Sequence, residues 1–171
     1  MALFESIPQV AILGARGIGQ VHARLFQKSG ANICAILGSS MRTAQQTAEL
    51  LHKSIGISPK PFDKLESLIK ETQPDALSIC TPAEFHFEQI LTAFDQGLAV
   101  FCEKPLFWKK NLNPDLLEAQ INLLNEHQDR CLFLNTCNAY FMESVLEKTG
   151  KPSIIKSFSF ISQPHFLICS S

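Results

Sequence analysis

The segment Gly14-Ala15-Arg16-Gly17-Ile18-Gly19 carries the clearest chemical signal in the sequence. It directly follows the apolar run from Val10 to Leu13 and opens an amphipathic stretch, which is the context of a phosphate-binding loop between a strand and a helix. Glycines let the backbone turn tightly and approach a pyrophosphate, and the free N–H groups and dipole of a helix start favour its negative charge. We therefore expect a bound dinucleotide here. A tight turn without a ligand is the alternative.

Arg16 departs from the pattern, because it stands where the fingerprint has its second glycine. Its Cβ could crowd the pyrophosphate. Alternatively, Gly17 provides the close approach and Arg16 points to the ligand. The sequence leaves both arrangements open.

The segment Leu37-Gly38-Ser39-Ser40-Met41-Arg42 ends the second apolar run, where enzymes that use NAD place an acid for the ribose hydroxyls. It contains no carboxylate, whereas Ser39, Ser40 and Arg42 could bind a 2′-phosphate through charge-assisted hydrogen bonds of about 1.5 to 3 kcal/mol each. We predict NADP in preference to NAD. The competing interpretation is that Ser39 or Ser40 only caps the next helix and that Arg42 is solvated.

Two further polar segments, Thr81-Pro82 and Glu103-Lys104-Pro105, each follow an apolar run. Ligands of doubly wound sheets bind at the carboxyl ends of the strands, so both segments are expected to face the reacting end of the dinucleotide. Lys104 is the predicted catalytic residue, because a cation there can hydrogen-bond the oxygen of a hydroxyl or carbonyl substrate.

Short apolar runs alternate with amphipathic stretches along the chain, which predicts βαβ units and an α/β fold with a doubly wound parallel sheet, the Rossmann fold. In the first helix Ile18, Val21, Leu25 and Phe26 share one face, which is expected to pack on the sheet. Residues 54–61 are expected to form a loop or a weak edge strand. The predicted strands are Val10 to Leu13, Ile33 to Leu37, Ala76 to Cys80, Ala99 to Cys102 and Cys131 to Leu134; the predicted helices are Ile18 to Lys28, Thr43 to Lys53, Lys64 to Lys70, Phe87 to Asp95 and one that opens at Asn113.

The composition is that of a soluble globular protein, with 46% apolar and 18% charged residues in 171. No stretch approaches the roughly 20 apolar residues of a membrane helix, and no signal peptide is expected. The six cysteines form no Cys-x-x-Cys pair, so we expect reduced thiols in a cytoplasmic protein and no metal site. A net charge of −1 argues against a nucleic-acid surface and favours a small-molecule partner.

Several segments together resemble the amino-terminal domain of the Gfo/Idh/MocA oxidoreductases, in order and at the family's spacing. They are the glycine loop, His22-Ala23-Arg24, Leu77 to Pro82, His86, Gly97 and Cys102-Glu103-Lys104-Pro105-Leu106. The resemblance covers about Val10 to Thr136. It implies hydride transfer between NAD(P) and a sugar, polyol or cyclitol.

The resemblance also implies roles for the residues. Gly14, Gly17 and Gly19 would hold the pyrophosphate, and Arg16 and Ile18 of the same loop would also belong to the coenzyme site. Ser39, Ser40 and Arg42 would meet the adenosine ribose or its phosphate. Thr81, Pro82 and His86 would line the nicotinamide side, with Glu103 and Lys104 as the family's Glu-Lys-Pro pair and a Lys104–Pro105 bond that can be cis.

For His86, Glu103 and His22 the sequence also allows a purely structural role. A histidine at a helix start can merely satisfy backbone groups, so His86 is a contact of the coenzyme or a structural residue. Glu103 is expected to have a structural role. His22 is expected to pack or to lie at the surface.

The family continues into a second domain with an Asp-x-x-x-His pair, which this chain lacks. We expect a dinucleotide-binding domain over 1–136 and a remnant of the second, α+β domain over 137–171, with Ile154 to Ile161 as a strand, as in a truncated gene. Catalysis by the chain is then one hypothesis. The others are a binding module without turnover, or a subunit completed by a partner chain or a second copy that covers the 154–161 strand.

Overall fold

The computed structural model describes residues 6–110, 113–127 and 129–135. Strands and helices alternate along them from the first strand to the last. The strands are β1 (Gln9–Leu13), β2 (Asn32–Leu37), β3 (Lys60–Phe62), β4 (Ala76–Ile79), β5 (Ala99–Glu103) and β6 (Leu132–Asn135); the helices are α1 (Ile18–Lys28), α2 (Met41–Ile55), α3 (Leu65–Thr72), α4 (His86–Asp95) and α5 (Pro114–Asn125).

The strands form one parallel sheet in the order β3-β2-β1-β4-β5-β6. This order confirms the predicted doubly wound Rossmann fold. The chain reverses direction across the sheet between β1 and β4, so the loops that follow these two strands diverge and leave a crevice at their carboxyl ends. The glycine loop follows β1, and Thr81-Pro82 follows β4.

The core has two layers, one on each face of the sheet. On one face α1 and α2 pack through residues such as Ala23 and Leu51 against Ile12 of β1. On the other face α3, α4 and α5 pack against Leu77, Ile79 and other buried strand residues. Because both faces are covered, the central strands are apolar on both sides, which is why they read as continuous apolar runs in the sequence.

The predicted orientation of α1 is wrong for three of its four residues, whereas the fourth, Phe26, is half-buried against the core. Ile18, Val21 and Leu25 are 45%, 45% and 55% exposed, whereas Gly19, His22 and Ala23 are buried. Gly19 permits this rotation: a Cβ built on it would lie 2.5 Å from the Gly14 carbonyl oxygen, so only a residue without a side chain can face the loop at this position. The buried face is therefore displaced by one residue from the one that hydrophobicity indicated.

The segment 54–61 contains the C-terminal end of α2, a left-handed Gly56 with φ +74°, and the start of β3. The short β3 pairs only with β2 among the described strands and lies at the sheet edge, where a proline at position 61 is tolerated. The expectation of a weak edge strand is confirmed there.

The proposed second-domain remnant at 137–171, including the strand expected from Ile154 to Ile161, lies outside the described residues. Among the helices that are described, none combines the length and the apolar character needed to cross a lipid bilayer.

Candidate functional site

The glycine loop is pressed against the end of β4. Gly14 has φ +77°, and a Cβ on it would lie 2.8 Å from the Cys80 carbonyl oxygen and 2.9 Å from the Thr81 nitrogen. A side chain at Gly14 would therefore separate β1 from β4 at the place where the sheet reverses. Gly14 and Gly19 are required by the packing of the protein itself.

Gly17 is required for a different reason. It is the N-cap of α1 with φ 59° and ψ −115°, a backbone conformation open to glycine, and no side chain caps the helix there. A Cβ on Gly17 would meet no atom within 4 Å. The loop thus presents open space in front of an uncapped helix N-terminus, which is what a pyrophosphate needs. The residues present fit a dinucleotide.

A cleft of about 460 Å³ opens beside this loop at the carboxyl ends of β1, β2 and β4. Five residues that the sequence assigned to the coenzyme line it: Gly14, Arg16, Ser39, Thr81 and Pro82. Sequence reasoning missed Thr43, Thr47, Phe85 and Gln89, which also line it. These four lie on α2 and at the start of α4, so only the packing of the helices on the sheet brings them to the cleft.

Arg16 is exposed and belongs to the cleft wall, while Gly17 offers the open approach. A contact of Arg16 with the pyrophosphate stays a prediction.

The end of the cleft beyond β2 contains hydroxyls and no acid. Ser39 and Thr43 line it, and no aspartate or glutamate stands among the cleft-lining residues of the described chain. Ser40 is engaged elsewhere: its Oγ accepts a hydrogen bond from the Thr43 N–H at 3.3 Å, and Thr43 Oγ1 accepts one from the Ser40 N–H at 3.0 Å. Ser40 thus caps α2, and Arg42 is exposed in the first turn of the same helix.

His86 joins two loops instead of lining the cleft. It is only 1% exposed. Its Nε2 lies 2.7 Å from the Thr81 carbonyl oxygen, and its Nδ1 lies 3.0 Å from that of Pro105. The structural interpretation of His86 therefore has direct support. A contact with the coenzyme stays a prediction.

Glu103 is the centre of a buried polar cluster. Its Oε1 accepts hydrogen bonds from His22 Nε2 at 2.9 Å and from Asn135 Nδ2 at 2.6 Å. Its Oε2 accepts one from the Lys104 N–H at 3.3 Å. The side chain of Lys104 itself is exposed, and the Lys104–Pro105 bond is cis.

Two thiols lie beside this cluster. Burial raises the pKa of Cys80 to about 12, with Ser78 opposing and the Glu103 charge adding to the effect. Burial likewise raises the pKa of Cys102. Both remain protonated thiols at neutral pH, so neither is a thiolate nucleophile.

A doubly wound sheet with a glycine loop and a cleft at its switch point defines the class of dinucleotide-binding Rossmann domains. The family model described as an oxidoreductase family with an NAD-binding Rossmann fold, Gfo/Idh/MocA, matches residues 9–135. The chain belongs to this family.

Curated relatives include dehydrogenases of sugars and cyclitols. The D-glucoside 3-dehydrogenase of Escherichia coli (strain K12) is 31% identical over 106 residues, which are 61% of this chain and 29% of the relative. The inositol 2-dehydrogenase of Paracoccus denitrificans (strain Pd 1222) is 29% identical over 100 residues, or 57% of this chain and 29% of the relative. The chain thus matches less than a third of the length of these relatives.

Solved structures show the same fold. The scyllo-inositol dehydrogenase from Lactobacillus casei with bound NAD(H) and scyllo-inositol superposes with a TM-score of 0.66 at 19% identity, over 84% of this chain and 42% of that one. The myo-inositol 2-dehydrogenase from Lactobacillus plantarum gives 0.65 at 22% identity, over the same shares.

Proposed function

We propose that this chain binds a nicotinamide dinucleotide, NADP in preference to NAD, and forms the coenzyme half of an oxidoreductase acting on a sugar, polyol or cyclitol. The observation that carries the preference is the acid-free end of the cleft beyond β2, with two hydroxyls in its wall and Arg42 in the adjoining helix turn. A carboxylate there would repel a 2′-phosphate, whereas an arginine attracts it. The substrate class follows from the relatives.

In this proposal the bound coenzyme supplies hydride transfer, and the protein supplies orientation and charge. Gly17 and the N-terminus of α1 bind the pyrophosphate, with Arg16 in the same wall. Ser39 and Arg42 bind the adenosine end. Lys104 donates a hydrogen bond to the reacting oxygen of the substrate and stabilises negative charge on it.

Titration of the purified chain with NADPH and NADH tests the coenzyme. Trp108 is the only tryptophan, and its backbone N–H donates a hydrogen bond to the Ala83 carbonyl at 3.2 Å, next to the Thr81-Pro82 loop. Energy transfer from Trp108 to a bound reduced nicotinamide therefore reports binding. We expect tighter binding of NADPH. Equal affinity for the two coenzymes would refute the preference.

Arg42→Ala isolates the 2′-phosphate contact. The variant is expected to bind NADPH about tenfold or more weakly, because a hydrogen bond to a charged group contributes about 1.5 to 3 kcal/mol, while NADH binding is unchanged. Arg24→Ala is the matched control, since Arg24 is also an exposed helix arginine but lies on α1, whereas Arg42 lies in the first turn of α2, next to the acid-free end of the cleft. A loss of NADPH affinity that is equal in both variants would show a general charge effect.

The second candidate function is a coenzyme-binding module without turnover, or a subunit completed by a partner or a second copy. A screen of polyols, sugars and cyclitols for coenzyme-dependent absorbance change separates the two: binding of NADPH with no turnover of any compound supports the module.

A further inference from the structure

His22 is a polar residue of α1 whose side chain is buried in the protein. It is 4% exposed and makes T-shaped contacts with the Phe26 and Phe101 rings, whose centroids lie 6.4 and 5.3 Å from that of the imidazole. Both ring nitrogens nevertheless have polar partners. Nδ1 lies 2.8 Å from Ser78 Oγ on β4, and Nε2 lies 2.9 Å from Glu103 Oε1 at the end of β5. The ring thus connects three elements that are far apart in the sequence.

The partners define the direction of each hydrogen bond. Glu103 Oε1 is an acceptor, so Nε2 carries the hydrogen. Nδ1 faces the Ser78 hydroxyl and, at 3.1 Å, the Cys80 thiol, both of which can donate. The raised pKa of Cys80 keeps that thiol protonated. The N–H at Nε2 therefore holds the carboxylate in one orientation.

Glu103 in turn fixes the backbone at Lys104. Its carboxylate is in a side chain that is largely buried, and a buried charge requires donors. His22 and Asn135 supply them at Oε1, which leaves Oε2 directed at the Lys104 N–H. Rotation of the carboxylate would break this last hydrogen bond.

We propose that His22 is a positioning residue: through Glu103 it sets the orientation of Lys104 relative to the helix that begins at the phosphate loop. The inference rests on the proposed function, because it gives Lys104 the role assigned there. His22 lies three residues beyond Gly19, the end of that loop, on the same helix. One side chain therefore couples the place where the pyrophosphate is bound to the place where the substrate oxygen would lie.

The test compares His22→Leu with His22→Gln. Both remove the ring, but glutamine retains an N–H for Glu103 and a carbonyl for Ser78, whereas leucine retains neither. Lysine side chains are dimethylated with isotope-labelled formaldehyde, and the Lys104 signal is assigned in the NMR spectrum as the one that Lys104→Arg lacks. The comparison is made first without coenzyme, so it does not depend on coenzyme binding.

The Lys104 signal is expected to move away from its wild-type position in His22→Leu and to stay or return in His22→Gln. Its response to added NADPH is expected to be lost in the first variant and kept in the second. Signals unchanged in both variants, or shifted equally in both, would overturn the proposal, since the second result would show that packing alone matters.

Ser78→Ala is the second variant, in case His22→Leu does not fold. It deletes one small hydroxyl that holds Nδ1 and leaves the ring in place. Because the Cys80 thiol also lies 3.1 Å from Nδ1, the variant is made in a Cys80→Ala background. Displacement of the Lys104 signal from its position in Cys80→Ala supports the proposal, and an unchanged signal overturns it. A wild-type chain that fails to bind NADPH or NADH would refute the proposed function instead, while the coenzyme-free comparison would still decide the role of His22.

Discussion

A substitution at Gly17 is expected to affect both the stability of the fold and the binding of the coenzyme. We expect Gly17→Ala to destabilise the protein by about 1 to 2 kcal/mol, because alanine is strained at positive φ, and to weaken NADPH binding further, because the new methyl group occupies the open approach. Thermal unfolding and the titration described above measure the two effects.

Gly30→Ala is the matched control for this variant. Gly30 has φ +91° and likewise no atom within 4 Å of a Cβ, but it follows the other end of α1. The control should lose stability and keep its coenzyme affinity. If both variants lose affinity to the same degree, the pyrophosphate does not bind at Gly17.

Lys104 is exposed and lies beside a cluster that fixes its backbone, as a side chain that meets a substrate should. Lys104→Ala is expected to abolish turnover in any preparation that shows it, while NADPH affinity stays close to that of the wild type. Lys109→Ala, another exposed lysine in the same segment, should retain both. Loss of NADPH binding in Lys104→Ala would mean that this lysine mainly builds the coenzyme pocket.

Two adjacent serines at the start of α2 have different roles, one in the helix cap and the other in the cleft wall. Ser40 closes the capping box with Thr43, whereas Ser39 lines the cleft. Ser40→Ala is therefore expected to cost about 1 kcal/mol of stability with little change in NADPH affinity.

Ser39→Ala should show the opposite pattern, with near wild-type stability and weaker NADPH binding. Denaturant unfolding and coenzyme titration of both variants make the comparison. An equal loss of NADPH affinity in both would contradict the division, and would mean that the cap itself shapes the 2′-phosphate site.

The free energy of unfolding of the whole molecule should fall at alkaline pH because the Cys80 thiol is buried. The pKa of Cys80 is about 12 in the folded chain against 9.0 for an ordinary thiol. Between these values the unfolded chain has lost this proton and the folded chain retains it, so stability falls as pH rises from about 9 to about 12.

Cys80→Ala removes this contribution. Its free energy of unfolding should decline less steeply than that of the wild type across the same pH range, as measured by denaturant titration at several pH values. Parallel curves for the two proteins would contradict a raised thiol pKa. Cys102 and the other cysteines are common to both proteins, so the difference reports Cys80.

Local patterns in the sequence determined most of the secondary structure. The five apolar runs and the amphipathic stretches between them correspond to strands and helices within a few residues, because burial on both sheet faces and helical periodicity are properties of contiguous sequence. The glycine loop, the acid-free segment after β2 and the Glu-Lys-Pro segment were likewise recognisable from residue type and order.

Long-range contacts decided the rotation of α1 and the grouping of the polar side chains. The rotation of α1 depends on a glycine contact across the loop and on a histidine whose partners are 56 and 81 residues away, and neither is visible in local hydrophobicity. The same holds for His86 between two loops and for Thr43 and Gln89 in the cleft. The sequence by itself therefore determined the elements and the chemistry available, whereas only the tertiary structure decided which polar side chains are buried together, because such contacts form when distant elements pack.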